Sequence, residues 1–378
     1  MDLNAVNVAV DNKSQQRHQY WIDKIRSTLN SRMGYTGGND PTQSYSLLVS
    51  KHLVGLLMCV FVKTVHHNRA KYIHSNTVGV GVMGMMGNKG GVAIRFQFYD
   101  STLCFVNSHL AAHRENTQGR NADFANILAK TAFDIGEEAV REVIRSGSLR
   151  QWALGNSVVT IPDHDLVFWL GDLNYRIDEP VPTEVVMDWS NAAKLHELRT
   201  NDQLNLERAG GRVFQGFAEG QLNFKPTYKY QPGTDEYDVR PDKKIRAPAW
   251  CDRILWLTQD QSHVNQIKYT RSELNMSDHK PVMAIFINTI KEVIPQKREA
   301  VYDDVMKMLD MFENAALPMV GLDRITLDFG ELRYEQTATL PIKMTNTGKV
   351  VAQFRIVPKL DEVSNSTLIR TFSSSLFL

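Results

Sequence analysis

Trp169-Leu170-Gly171-Asp172-Leu173-Asn174-Tyr175-Arg176 is the stretch that decides how the chain is read. An apolar run over 166–170 reads as a buried strand, and it delivers an acid and an amide onto the turn after it. Three other segments repeat the arrangement. Leu103-Cys104-Phe105-Val106 runs into Asn107-Ser108-His109, Asp252-Arg253 precedes Ile254-Leu255-Trp256, and Ser277-Asp278-His279 precedes an apolar run over 281–287. Two of the polar groups end a run and two begin one, so antiparallel neighbours bring all four to one rim of a sheet. A single Asp or His beside a strand is commonly a turn residue or a cap. Four in this pattern point to a site.

Composition bounds the rest. The 378 residues exceed the usual size of one domain, so one large domain and a smaller one are expected. Formal charge is +1, from 43 Lys plus Arg against 42 Asp plus Glu. An anionic ligand must therefore be met by a local basic patch rather than by global steering. Cys59, Cys104 and Cys251 sit in apolar contexts without CxxC spacing, which favours buried thiols and a reducing compartment. The N-terminal residues do not read as a signal peptide, and the longest apolar run, 53–62, is about half of what spans a bilayer. A cytoplasmic protein is expected, with membrane contact peripheral.

Along the chain, Tyr20, Ile22, Ile25 and Leu29 recur at helical spacing and predict an amphipathic surface helix. Residues 45–49 and 54–62 read as strands around a turn at Lys51-His52. Next come a strand over 78–82, a glycine-rich loop through Gly84, Gly87, Gly90 and Gly91, and a strand over 92–96. The bare backbone of that loop and Lys89 suit a phosphate, while Met83, Met85 and Met86 suit lipid. Helices are expected over 115–144 and, with Thr183 as N-cap, over 184–199. Residues 146–162 read as a loop and 201–225 as a connection without assignable chemistry. Tyr228, Lys229, Lys244 and Arg246 crowd basic and phenolic groups near the Asp252 turn, which suits several phosphate oxygens at once. A helix over 294–317 carries Val301, Val305, Met308, Leu309 and Phe312 on one side. Short strands at 325–329, 339–344 and 352–357, with Asn346-Thr347-Gly348 as a hairpin turn, end the pattern.

Two Asp and His combinations with an Asn suit hydrolysis of a phosphate ester. Asp172 would orient or deprotonate a water, Asn174 would hold the water or a phosphoryl oxygen, and His109 and His279 would stabilise negative charge. Asp252 would fix the tautomer of His279. No P-loop or kinase signature is present.

Six motifs carry a resemblance: Gly87-Asn88-Lys89-Gly90-Gly91-Val92, Asn107-Ser108-His109-Leu110, the 169–176 stretch, Pro226-Thr227-Tyr228-Lys229-Tyr230, Pro248-Ala249-Trp250-Cys251-Asp252-Arg253-Ile254-Leu255 and Ser277-Asp278-His279-Lys280-Pro281-Val282. In this order, over about residues 1–355, the chain resembles the inositol polyphosphate 5-phosphatase family, and its type II branch in particular. The resemblance implies a four-layered α/β sandwich of the deoxyribonuclease I-like endonuclease/exonuclease/phosphatase fold. It implies Mg²⁺-dependent removal of the 5-phosphate from phosphatidylinositol 4,5-bisphosphate and related lipid or soluble inositol phosphates. By matching motif, His109, Asp172, Asn174, Asp252, Asp278 and His279 would be catalytic. Lys89, Tyr228, Lys229, Lys244 and Arg246 would bind substrate, the last four gripping the neighbouring 4-phosphate, with the 83–89 loop facing lipid.

The implied organisation is a phosphatase domain over 1–290, a linker helix over 291–320 and the start of an immunoglobulin-like ASH domain over 321–378. A Rab GTPase is the implied partner of the last two, and endosomal, Golgi or plasma membranes the implied location. Family members open with a strand carrying a Trp-Asn-Val-Asn type motif and a Gln-Glu pair whose Glu binds Mg²⁺. Met1-Asp2-Leu3 resembles the residues immediately after that pair. This chain is therefore expected to lack the first strand and to bind metal and turn over weakly; its metal ligands are left unassigned. The alternative is a non-catalytic Rab- or membrane-binding adaptor. Near-neutral charge and the compact basic cluster argue against nucleic acid as a partner.

Overall fold

Residues 12–31, 44–81, 89–145 and 157–354 are described by a computed structural model. The expectations for the chain start, for most of the glycine-rich loop, for 146–156 and for everything beyond 354 lie outside these residues. The chain divides at Glu292 and Val293 into two units, and each is taken by itself.

In the first unit the order is α1 (Asn12–Ser31), β1 (Tyr45–Leu53), β2 (Leu56–Lys63), β3 (Ala70–Gly79), β4 (Gly90–Phe98), β5 (Ser101–His109), α2 (Thr117–Lys130), β6 (Ala132–Asp134), α3 (Glu137–Arg145), β7 (Val158–Thr160), β8 (Leu166–Asp172), α4 (Thr183–Asn191), α5 (Leu195–Thr200), α6 (Gln203–Ala209), β9 (Ala218–Glu219), β10 (Asp252–Thr258), β11 (Val264–Arg271) and β12 (Val282–Asn288). A six-stranded sheet runs β3-β4-β5-β8-β10-β9. Its pairings are antiparallel except β5 with β8. Parallel neighbours need a long crossover, which the segment containing α2 and α3 supplies.

Both faces of the sheet are covered, which is why β4, β5 and β8 spell nearly unbroken apolar runs. On one face Ala93, Cys104, Val106, Val167, Trp169 and Leu255 meet Phe124 and Ile127 of α2. On the other, Ile94, Leu103, Phe168 and Trp256 meet Leu56 and Met58 of β2 and Val264 of β11. The β1–β2 and β11–β12 ribbons thus form a third layer, and α1 lies against β1 and β2 as a fourth. Phe96, Phe105 and Phe168 stack in sequence across the ribbon face, with centroids 5.9 and 5.4 Å apart, and Phe286 meets Phe168 at a tilt, 5.0 Å away.

Several expected boundaries are corrected. The first hairpin turns at Val54-Gly55, not at Lys51-His52, because Gly55 alone takes a left-handed φ of 77° there. The expected 115–144 helix is two, α2 and α3, broken by β6 and by Gly136 at φ 80°. The expected 184–199 helix is also two, α4 and α5, parted at Ala193 with φ 53°, and Pro182 rather than Thr183 is the N-cap. Tyr20 is exposed, so the buried contact of α1 is made by Ile22. The supposed connection at 201–225 holds α6 and the buried Asp202, which accepts from Arg253 at 2.8 Å. In the second unit α7 (Pro295–Ala315) leads to β13 (Val320–Leu322), which pairs with β14 (Met344–Asn346). Residues 325–329 and 339–343 form no ladder; Ile325 is exposed, and alternation without a partner strand does not make a sheet.

Gly171 lets β5 and β8 close at the rim. It sits at φ 130°, and a Cβ would come 2.1 Å from the carbonyl oxygen of Ser108. Gly171→Ala is expected to destabilise the fold by more than about 1 kcal/mol, measured by denaturant unfolding; an unchanged midpoint would show that the strands can part at no cost.

Candidate active site

Register assembles the site. In one row across the sheet Gly90 faces His109, His109 faces Asp172, and Asp172 faces Asp252. Side chains opposite one another project to the same side, so three functional groups from positions far apart in sequence become neighbours. An isolated bridge from Tyr228 to His279, and another from Tyr228 to Ala249, add the remaining ring systems.

His109 Nε2 lies 3.2 Å from Asp172 Oδ2, and Lys89 Nζ contacts the same nitrogen. Burial alone would raise the pKa of Asp172. The hydrogen bond from His109 and the positive fields of His279, His109 and Lys89 outweigh it and hold the carboxyl below its ordinary value. Burial draws the Lys89 ammonium down to about 8, against the pull of Asp172. His279 Nδ1 is 2.8 Å from Asp252 Oδ2, which also accepts from Thr227 Oγ1 at 3.1 Å. Burial opposes charge on His279, yet Asp252, Asp172 and Asp278 raise its pKa to about 9, so it is an imidazolium at neutral pH.

Asn174 is buried on a left-handed turn at φ 57°. Its backbone N–H donates to Asp172 Oδ1 at 3.1 Å and its Nδ2 to the Leu110 carbonyl at 3.1 Å. Tyr228 lies over the ring of His279 at 4.6 Å. Lys229 is set between Asp238 and Asp278, 3.9 Å from each. Lys244 is exposed and Arg246 half-buried. Both bear on Glu115, whose own backbone hydrogen bond is the first cause of its lowered pKa. Arg246 also acts on the phenol of Tyr228. His109, Asp172, Asn174, Asp252, His279 and Lys89 therefore share the rim, Tyr228 joins it by stacking, and Lys229 with Asp278 forms a pair beside it.

Residues 3–285 match the Endonuclease/Exonuclease/phosphatase family 2, and residues 322–371 the inositol polyphosphate 5-phosphatase OCRL-like ASH domain. The solved inositol polyphosphate 5-phosphatase domain of SpSynaptojanin, in complex with inositol (1,4)-bisphosphate and calcium ion, superposes with a TM-score of 0.65 at 30% identity, covering 81% of this chain and 78% of that one. The chain belongs to the inositol polyphosphate 5-phosphatase family. It is 37% identical over 331 residues to the type II inositol 1,4,5-trisphosphate 5-phosphatase of Mus musculus, covering 86% of this chain and 30% of that protein. To the type IV inositol polyphosphate 5-phosphatase 9 of Arabidopsis thaliana it is 39% identical over 286 residues, covering 71% of this chain and 63% of the relative. The chain thus spans about a third to two thirds of these relatives' lengths.

The 5-phosphatase relative was solved with calcium, which makes the rim a place to look for a cation site. A hard divalent cation takes about six or more oxygen ligands. Here the Asp172 oxygens accept from Asn174 and approach His109, Asp252 Oδ2 accepts from His279 and Thr227, and Asn174 Oδ1 accepts from Arg176. Among the described residues no three His, Cys, Asp or Glu side chains are grouped to hold a metal ion. These residues alone do not fit a divalent cation.

Two contributors were not assigned from sequence. Thr227 supports Asp252, and only its place in Pro226-Thr227-Tyr228 hinted at it. Arg176 closes the Asp172 turn, and its signal was membership of the same eight-residue stretch. Asp252→Asn removes the anion that charges His279. The His279 pKa, tracked by NMR titration, is expected to fall from about 9 toward or below its ordinary 6.5; a value unmoved by the substitution would assign the shift elsewhere.

Proposed function

We propose that this chain is a phosphoinositide 5-phosphatase. It would hydrolyse the 5-phosphate of phosphatidylinositol 4,5-bisphosphate and related soluble inositol phosphates, with Mg²⁺ as cofactor. The observation behind the reading is the single row that sets ionised Asp172 beside His109 and beside Asp252 with its imidazolium partner His279.

Bound Mg²⁺ would neutralise charge on the transferred phosphoryl group. Since the described residues do not complete its ligand set, the steps assigned here run through the chain's own groups. Asp172 orients a water for in-line attack and takes its proton as the bond from phosphorus to the inositol oxygen breaks, that oxygen leaving as a hydroxyl with a proton from solvent, and Asn174 fixes the turn that carries this acid. Protonated Lys89 and His279, together with His109, meet the oxygens on which charge accumulates. Tyr228, Lys229, Lys244 and Arg246 receive a neighbouring phosphate, and Asp278 holds Lys229 in place. A lipid surface facing the 83–89 loop, a Rab GTPase contact through the ASH segment, and a peripheral cytoplasmic placement on endosomal, Golgi or plasma membranes belong to the same reading. The phosphatase part of the reading is supported by the family relatives, and the match at 322–371 supports the ASH segment itself.

The test is Mg²⁺-dependent phosphate release from vesicles containing phosphatidylinositol 4,5-bisphosphate and from soluble inositol 1,4,5-trisphosphate. Asp172→Asn is expected to slow release by about 10²–10⁴-fold. Lys89 and His279 must both be protonated, so the rate should fall as pH rises through about 8 and then about 9. Undiminished turnover by the Asp172→Asn variant would remove Asp172 from the mechanism. No turnover by the parent chain, together with retention of GTP-loaded Rab, would establish the adaptor alternative.

A further inference from the structure

The first unit holds several buried arginines, and two of them sit next to the site in opposite circumstances. Arg253 is enclosed with two carboxylates, Asp202 at 2.8 Å and Glu219 at 2.7 Å. Arg176 is 7% exposed and among the described residues makes no ion pair within 4 Å, Asp172 acting on it only from farther away. A buried cation without a counter-ion is costly unless its hydrogen bonds are made, and unless its charge is wanted where it is.

The bonds of Arg176 all lead to the rim. Its Nη2 donates to Asn174 Oδ1 at 2.6 Å and its Nε to the Asn174 carbonyl at 3.1 Å, so one guanidinium grips both the side chain and the main chain of that residue. The Cζ of the same guanidinium lies over the Tyr228 ring, 4.5 Å from its centre, and Tyr228 lies against His279. Behind it, the Arg176 backbone exchanges two bonds with Gln203, at 2.9 and 2.8 Å, and Gln203 is held in turn by Arg120 at 2.7 Å. The grip fixes Asn174 in a left-handed backbone, a conformation that Asn tolerates better than most residues. That conformation is what aims its N–H at Asp172 Oδ1.

We propose that Arg176 is a positioning residue for the phosphatase reaction, locking the Asp172–Asn174 turn and the Tyr228–His279 stack into one rigid arrangement. The inference rests on the function proposed above. A fork-shaped cation is required, because two different nitrogens of one rigid group, Nε and Nη2, reach the two Asn174 oxygens while its Cζ sits over the phenol ring, and a single ammonium nitrogen on a flexible stem does not reproduce that geometry. Charge alone is not the contribution.

Arg176→Lys and Arg176→Met separate these contributions, with thermal unfolding of each measured in parallel. Both are expected to lose about 10²-fold in kcat, with the smaller part of the loss in KM, since Lys229, Lys244 and Arg246 still receive substrate while the acid and imidazolium are misplaced. Because one arm of Arg176 acts through the Asn174 side chain, Arg176→Lys should cost clearly less when added to Asn174→Ala than it costs alone. Full activity in Arg176→Lys, or losses that simply multiply in the double variant, would overturn the proposal. If the parent chain releases no phosphate, the phosphatase reading has failed on its own terms. The positioning is then read by NMR: the His279 ring protons, shielded beneath Tyr228, are expected to move downfield in Arg176→Lys, and unchanged resonances would overturn it.

Discussion

The parallel pairing of Ser101–His109 with Leu166–Asp172 is the constraint on which the first unit depends. A slip of one residue in either strand would turn its functional side chains to the opposite face of the sheet and its apolar residues with them. The register is held from both sides. Antiparallel neighbours flank the pair, both faces are packed, and Trp169 donates from its indole to Ser108 Oγ at 2.9 Å across the two strands. The same packing that makes the sheet stable therefore sets the distance between His109 and Asp172.

Charge is used in two ways around this sheet. Arg253 and Arg208 with Asp202 and Glu219 form a closed set of two cations and two anions that ties the strand beginning at Asp252 to the helix capped by Asp202. The rim is an open set. Asp172, held ionised, and Asp252, hydrogen-bonded to His279, face the His279 imidazolium and the Lys89 ammonium, with the Arg176 guanidinium buried behind them. In a chain whose formal charge is +1, cations are thus concentrated where the strands end rather than spread over the surface.

The central architecture was legible because buried strands have a distinctive spelling. Leu103 to Val106 and Leu166 to Leu170 are apolar without interruption, and the polar residues that close them mark where the sheet reaches solvent. Breaks inside helices were not, since Ala193 and Gly136 interrupt patterns whose apolar spacing continues across them. The role of residues 201–225 was hidden for another reason: Asp202 and Gln203 look like ordinary polar residues until Arg253 and Arg120 are brought to them by the fold. Arg176 illustrates the same limit within a motif. Its spacing from Asn174 is readable, but the contact with Tyr228 joins segments far apart in the chain and depends on a bridge between irregular stretches.

The cysteines have a consequence of their own. Cys104 and Cys251 are fully enclosed, and burial lifts the first thiol to about 12 and the second well above its usual value; Cys59, half-buried, is shifted the same way. Thiolates are what peroxides and alkylating agents attack, and here their population is suppressed even though the carbonyl of Cys251 receives the Leu173 N–H beside Asp172. Sulfur thus serves as core filling, with Cys251 alone beside the rim, and its enclosure and raised pKa keep little thiolate available there.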